Sequence, residues 1–197
     1  MLSGELYDPS DEELCALRET AHRLSKEYND TLEEEEDKRD KILNELLGKM
    51  GENAYLQGPI QFDYGVFTEI GDRTYANFNF TVLDCAPVTI GKDVFIGTNV
   101  SILTAMHALR WQERDQFPKE DGTWADHEYA LPITIGDHCW IAGSVTICGG
   151  VTIGEGCVIG AGSVVTKDSP PNTLAAGVPC RPIREITEED SLKMEYK

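Results

Sequence analysis

Ile135, Ile141, Ile147, Ile153, Ile159 and Val165 stand six residues apart without interruption. Four residues after each of the first five come Cys139, Val145, Val151, Cys157 and Ser163, all small. A period of six fits neither the 3.6 of a helix nor simple strand alternation. It fits a coil of three short strands per turn, with one aliphatic side chain pointing inward from each strand and small or glycine residues relaxing the corners. The predicted fold is therefore mainly β, a parallel β-helix. Such a coil exposes flat sides and open ends, so packing against copies of itself is expected.

An earlier set carries the same beat: IGDRTY (70–75), ANFNFT (76–81), IGKDVF (90–95), IGTNVS (96–101) and ILTAMH (102–107). The phase is expected to break once, at the irregular segment 108–131, ALRWQERDQFPKEDGTWADHEYAL, and to resume at Pro132. A long polar insertion in a tight solenoid is usually functional. His107, an ionisable ring in an apolar run, is the last residue before it.

Residues 1–55 have a different texture. Ser10 and Glu13 have capping-box spacing, and Leu14, Leu17, Ala21, Leu24 and Tyr28 mark one helix face. After Asn29-Asp30, a second helical pattern uses Leu32, Ile42, Leu43, Leu46, Leu47 and Met50, with the acidic run 33–37 near its positive end. Two such helices cannot form a core alone and must pack on something. The expected organisation is a helical cap (1–55), a β-helix (56–186) with the 108–131 loop, and a tail (187–197).

Charge and cysteine usage narrow the function. Seventeen basic against 35 acidic residues give −18, which argues against nucleic acid or an anionic membrane as partner. MLSGELYDPSDEEL has no signal-peptide pattern, and no apolar run approaches the roughly 18 residues of a membrane helix. Six cysteines (15, 85, 139, 148, 157, 180) show no metal-type spacing, and Cys139, Cys148 and Cys157 read as small buried hydrophobes. A reduced, cytoplasmic setting is expected.

The hexapeptide beat joins GELYDPSDEEL, GENAYLQGPIQFDYG, YANFNFTVLD, TAMHAL, PITIGDHCWIAGSVTI and VVTKDSPPNTLAAGVPCRPIREI in one ordered set. Together they resemble the maltose/galactoside O-acetyltransferase family, over essentially the whole chain. The resemblance implies a left-handed parallel β-helix with an N-terminal helical cap. It also implies a homotrimer with active sites between subunits, and transfer of acetyl from acetyl-CoA to a sugar hydroxyl. The family usually reads T-A-x-H-P where this chain has Thr104-Ala105-Met106-His107-Ala108.

A sugar hydroxyl is a poor nucleophile and a thioester needs little activation, so one base and one oxyanion donor suffice. His107 suits the base. Glu128 matches the family position of an acid near that histidine. A backbone N–H around Ala142-Gly143, just past Trp140, is the candidate oxyanion donor, because small residues allow close approach. Asp8 and Asp63 match family positions that contact the acceptor; Asn77 is a further candidate, and Cys85 stands where some galactoside-active relatives carry an acid. Lys167, Arg181 and Arg184 are the only basic side chains in 133–184 and match the family's CoA-phosphate region. Thr166 and Ala161 fit the same groove, Trp140 borders it, and Gly97 leaves room beside the thioester arm.

Two alternatives compete with this reading. Covalent catalysis would use Cys139 or Cys148, which lack basic neighbours in sequence. A non-catalytic or metal-carrying protein of the carbonic anhydrase-like type would need His107, His127 and His138 to converge between subunits. No metal is expected.

Overall fold

The computed structural model describes residues 1–194. Two helices, α1 (Glu12–Asn29) and α2 (Glu36–Leu46), precede the strands. Asp11, not Ser10, caps α1: its carboxylate accepts from the amides of Glu13 and Leu14 at 3.0 and 3.4 Å. The charged acceptor one residue later wins the orphan donors of the first turn. Leu32 is 62% exposed, against expectation, because α2 starts only at Glu36 and leaves it in the connection.

The buried faces of both helices join one continuous core with the strands, Ala21, Leu24, Tyr28, Ile42, Leu43 and Leu46 packing with Leu56, Ile60 and Phe62. The helices therefore close one open end of the solenoid, which buries two apolar surfaces that neither part could cover alone. Leu14 and Leu17 are half-buried and face a second cluster of Tyr7, Tyr64, Cys85, Ala86 and Ala130.

The solenoid has three faces of five, seven and five strands, parallel except for the last strand of the seven. On the first, Ile70, Ile90, Ile135 and Ile153 stack in register. Ala76, Ile96, Ile141, Ile159 and Ala175 do so on the second, and Phe62, Val82, Ile102, Ile147 and Val165 on the third. These side chains are essentially inaccessible, as are Cys139, Val145, Val151, Cys157 and Ser163 at the small positions. Cys148, expected to be buried, is partly exposed.

The sequence boundary at 55/56 shifts: Lys49–Met50 and Tyr55–Leu56 already pair with Glu69–Ile70 and Tyr75–Ala76, so the first coil starts within the expected cap. After the last coil, Arg181–Glu185 folds back antiparallel on Thr173–Ala176 and finishes the second face. Among the described residues no helix is long and apolar enough to cross a membrane.

The phase breaks more than once. Inward partners lie 20 residues apart before the insertion (Ile70 to Ile90), 18 after it (Ile135 to Ile153) and 16 in the last coil (Ile159 to Ala175). The two additional residues fall at one place, between the third face and the first: Phe62 to Ile70 and Val82 to Ile90 span eight positions each. The insertion leaves from this same corner. It is not irregular throughout: Ala105–Met106 pairs with Tyr129–Ala130 at its base, and Phe117–Pro118 with Trp124–Ala125 further out. Between them lies one helical turn, Trp111–Arg114.

Candidate active site

Because every departure from the six-residue beat falls at the third corner, that corner accumulates polar residues that a tight turn could not hold. Asp63 and Tyr64 come from the first excess, Asp84 and Cys85 from the second, and Thr104 to His107 lead into the insertion. Thr104 is fully buried and its hydroxyl bonds the Leu83 carbonyl at 2.6 Å and the Ala86 amide at 3.0 Å. This anchors the chain three residues before His107.

His107 itself is exposed, with its ring at the mouth of the corner rather than in the core. Its Nε2 lies 3.7 Å from Glu128 Oε1, a separation longer than a hydrogen bond. Glu128 is fixed more tightly. Its backbone forms a two-way bridge with Tyr7, at 2.9 and 3.1 Å, and the Tyr7 hydroxyl donates to Glu128 Oε2 at 2.8 Å. Tyr7 is buried, and burial followed by the nearby Cys85 and Glu128 pushes its phenol far above the ordinary range.

The predicted acceptor residues divide. Asp63 and Cys85 are brought together, the thiol donating to Asp63 Oδ2 at 3.3 Å, and His22 reaches Asp63 Oδ1 at 3.6 Å. Burial pushes the Cys85 thiol up to about 12. Asp8 is already engaged: Ser10 binds Oδ1 through its amide and hydroxyl at 2.9 and 2.6 Å, and Lys119 from the insertion pairs with Oδ2. Lys119 and Ser10 hold the Asp8 carboxyl down to about 2. Asn77 lies elsewhere, at the second corner, between the second face and the third, where its side-chain oxygen accepts from the Phe78 amide at 2.8 Å. At the same corner Asn79 donates to Asn99 of the next coil at 2.9 Å, so these two asparagines stack between adjacent coils.

The second corner collects the small residues. The amides of Asn77, Gly97 and Ala142 bond the carbonyls of Ile96, Ile141 and Ile159, so these three residues stack in one file. Gly143 follows Ala142 directly in the chain, and Ala161 lies two residues after Ile159. A Cβ on Gly97 would sit 2.6 Å from the Gly143 nitrogen, so glycine there lets adjacent coils touch. Among the described residues no acceptor faces the Gly143 N–H, whereas the flanking Ala142 and Ser144 amides bond Ile159 and Thr98. Trp140 projects outward from the second face, 54% exposed, in register with Phe95.

Thr166 and Lys167 follow Val164–Val165 on the third face, below His107, while Arg181 and Arg184 lie on the returning strand of the second. Arg184 is occupied by a two-pronged pair with Asp190, at 2.8 and 2.6 Å, which holds the Asp190 carboxyl down to about 2. The cationic strip of the sequence reading is thus partly neutralised from within the chain. Within one chain, His107 and Gly143 sit at different corners with a whole face between them, roughly 15 Å at strand rise.

The cysteine route loses support. Burial raises Cys139 to about 11, and desolvation also raises Cys148, so neither offers a ready thiolate. The three histidines do not converge within the chain: His127 lies on the Phe117 ring at 4.8 Å and His138 beside Asp93 at 3.7 Å. A different set, His107, Asp126 and Glu128, has ligand atoms within 4.8 Å of one another and could gather round a cation.

Sequence reasoning missed Tyr7, Lys119, Arg18 and Asp84. Asp84 is fully buried and accepts from the Tyr64 amide at 2.8 Å and Thr68 Oγ1 at 2.9 Å, and burial raises its carboxyl against the pull of those donors. Arg18 bonds the Tyr64 hydroxyl at 2.9 Å and the Pro9 carbonyl at 3.1 Å, tying α1 to the segment that carries Tyr7. No period or spacing links residue 7 to residue 128. The only available signal was the adjacency of Tyr7 to Asp8.

Residues 1–51 match the maltose acetyltransferase hexapeptide capping motif, 87–104 the hexapeptide repeat of succinyl-transferase and 132–167 the bacterial transferase hexapeptide. Galactoside O-acetyltransferase of Escherichia coli K12 is 42% identical over 188 residues, 95% of this chain and 88% of that protein. A solved galactoside acetyltransferase in complex with coenzyme A superposes with a TM-score of 0.89 at 41% identity, covering 99% of this chain and 94% of its own. A maltose O-acetyltransferase from Clostridium difficile 630 gives 0.86 at 42%, covering 95% of each chain.

Proposed function

This chain belongs to the maltose/galactoside O-acetyltransferase family of hexapeptide-repeat proteins, an acetyl-CoA-dependent group, and on that premise we propose that it acetylates a sugar hydroxyl by direct attack, with His107 as general base. The observation that carries the reading is His107 at the exposed third corner, 3.7 Å from a carboxylate that is itself pinned.

In the proposed step an acceptor hydroxyl gives its proton to His107 as its oxygen attacks the thioester carbonyl. Glu128 favours the imidazolium that forms. The carbonyl oxygen becomes an oxyanion received by the Gly143 N–H, and collapse expels the CoA thiolate, which takes the proton back from His107. Asp63 and Cys85 lie side by side at the same corner, which supports a role for them in holding the acceptor. Gly97, Ala142 and Ala161 at the second corner, with Trp140 on the face beside it, serve the acyl arm of acetyl-CoA, with Thr166, Lys167 and Arg181 toward its phosphates, and Asn77 at the same corner serves the acceptor.

Base and oxyanion donor lie at different corners of one chain, so the complete site needs a second copy to bring its second corner to the first copy's third. This supports an oligomer with shared sites, as does the outward aromatic file of half-buried Tyr75 and exposed Phe95 and Trp140; the family resemblance makes that oligomer a homotrimer. The six free cysteines suit the reduced cytoplasm proposed for it.

His107→Ala tests the mechanism. The variant should fold, assemble and bind CoA, with turnover lowered by about 10²–10⁴, the usual worth of a general base. Retention of most turnover would overturn the mechanism and leave the family intact.

A further inference from the structure

The insertion is tethered to the N-terminal segment at two points: Lys119 pairs with Asp8, and Glu128 is bridged to Tyr7. At the second point three bonds converge. Two are backbone bonds, which fix where the Glu128 Cα sits but leave its side-chain torsions free. The third, from the Tyr7 hydroxyl to Oε2 at 2.8 Å, involves the carboxylate itself.

From this geometry, and resting on the reading of His107 and Glu128 above, we infer that Tyr7 is a positioning residue whose hydroxyl selects the Glu128 rotamer that faces His107. With Oε2 occupied by the phenol, Oε1 is the oxygen presented to the imidazole, at 3.7 Å. Without that donor the carboxylate has good reason to turn away. It is 20% exposed, so water can compete for it, and Asp126, close enough to share a cation with it, repels it.

Tyr7 is suited to the task because its own ring cannot move freely. It is 8% exposed and packed with Tyr64, Cys85, Ala86 and Ala130, while Arg18 holds the following Pro9 carbonyl. The phenol also keeps its proton across the working range, since burial disfavours the phenolate. A tyrosine 121 positions away from Glu128 thereby makes the N-terminal cap part of the catalytic centre.

Tyr7→Phe removes only the hydroxyl and keeps the backbone bridge. Turnover should fall by about ten- to a hundredfold, the range over which outer partners that hold a working side chain act. KM for acetyl-CoA should stay within about twofold, since ground-state binding is untouched. In a double-mutant cycle, Tyr7→Phe should add nothing to Glu128→Ala, because both remove the same aligned carboxylate.

Wild-type turnover in Tyr7→Phe beside an impaired Glu128→Ala would overturn the inference. So would additive losses, or a fall in thermal stability accompanied by a raised KM for acetyl-CoA, either of which assigns the hydroxyl to structure. Full activity in both His107→Ala and Glu128→Ala would instead refute the underlying reading.

Discussion

Replacing Gly97 by alanine separates a structural from a cofactor-making role at the second corner. The added Cβ would lie 2.6 Å from the Gly143 nitrogen, 2.8 Å from the Ala142 carbonyl carbon and 2.9 Å from the Gly143 Cα. All three atoms are backbone, so no side chain can swing aside. Opening the shortest contact to an ordinary distance of about 3.4 Å moves adjacent coils apart by about 0.8 Å locally. Overpacking of this kind costs about 1–3 kcal/mol. At about 2–4 °C per kcal/mol for a chain of this size, the melting point should fall by roughly 2–12 °C. The displaced backbone includes the N–H proposed to receive the oxyanion, and a misplacement near 1 Å can cost about 10²-fold in rate. Gly97→Ala should therefore lose ten- to a hundredfold in turnover, read by free thiol release at saturating acetyl-CoA. Gly122→Ala is the comparator: its Cβ meets nothing within 4 Å, and only its positive φ of 83° resists substitution. Unchanged melting and turnover in Gly97→Ala would refute the steric argument. A raised KM for acetyl-CoA at full turnover would mean that Gly97 makes room for the cofactor and that Gly143 is not the donor.

Arg181→Ala should raise KM for acetyl-CoA more than it lowers turnover, and Arg184→Ala should do so less, because Asp190 already neutralises Arg184. Equal effects in steady-state kinetics would contradict that ranking. Asp8 titrates lower in the folded chain than its ordinary 3.8, so the stability it contributes is present above that pH and lost as pH falls toward about 2. Hydrogen exchange at residues 117–125 should accordingly rise below about pH 4, and Lys119→Ala should show that raised exchange already at neutral pH; identical profiles would remove the Asp8–Lys119 tether from the account. Sedimentation should give a trimer of 21.8 kDa chains, and a monomer at micromolar concentration would deny the shared site.

By itself the sequence determined the architecture, because the information is local and repeated. Ile135 through Val165 at six-residue spacing, with small residues between, admit few arrangements other than three short strands per turn, and each coil restates the same constraint. The helical faces of α1 and α2 were legible for the same reason, since 3.6-residue periodicity is written along the chain. His107 was also legible, as an ionisable ring where the beat stops. Local reading failed where neighbours compete or where partners are distant. Asp11 replaced Ser10 as the cap because its carboxylate takes the Glu13 and Leu14 amides while the Ser10 hydroxyl is turned to Asp8. Arg184 lost its claim to a free charge because Asp190 folds back on it. Only the tertiary structure decided that the two-residue excesses at Asp63, Asp84 and the insertion all stack at one corner, since register between coils depends on pairing rather than on composition. Only it brought Tyr7 to Glu128, because the energy of that contact lies in hydrogen bonds between segments whose separation along the chain carries no period.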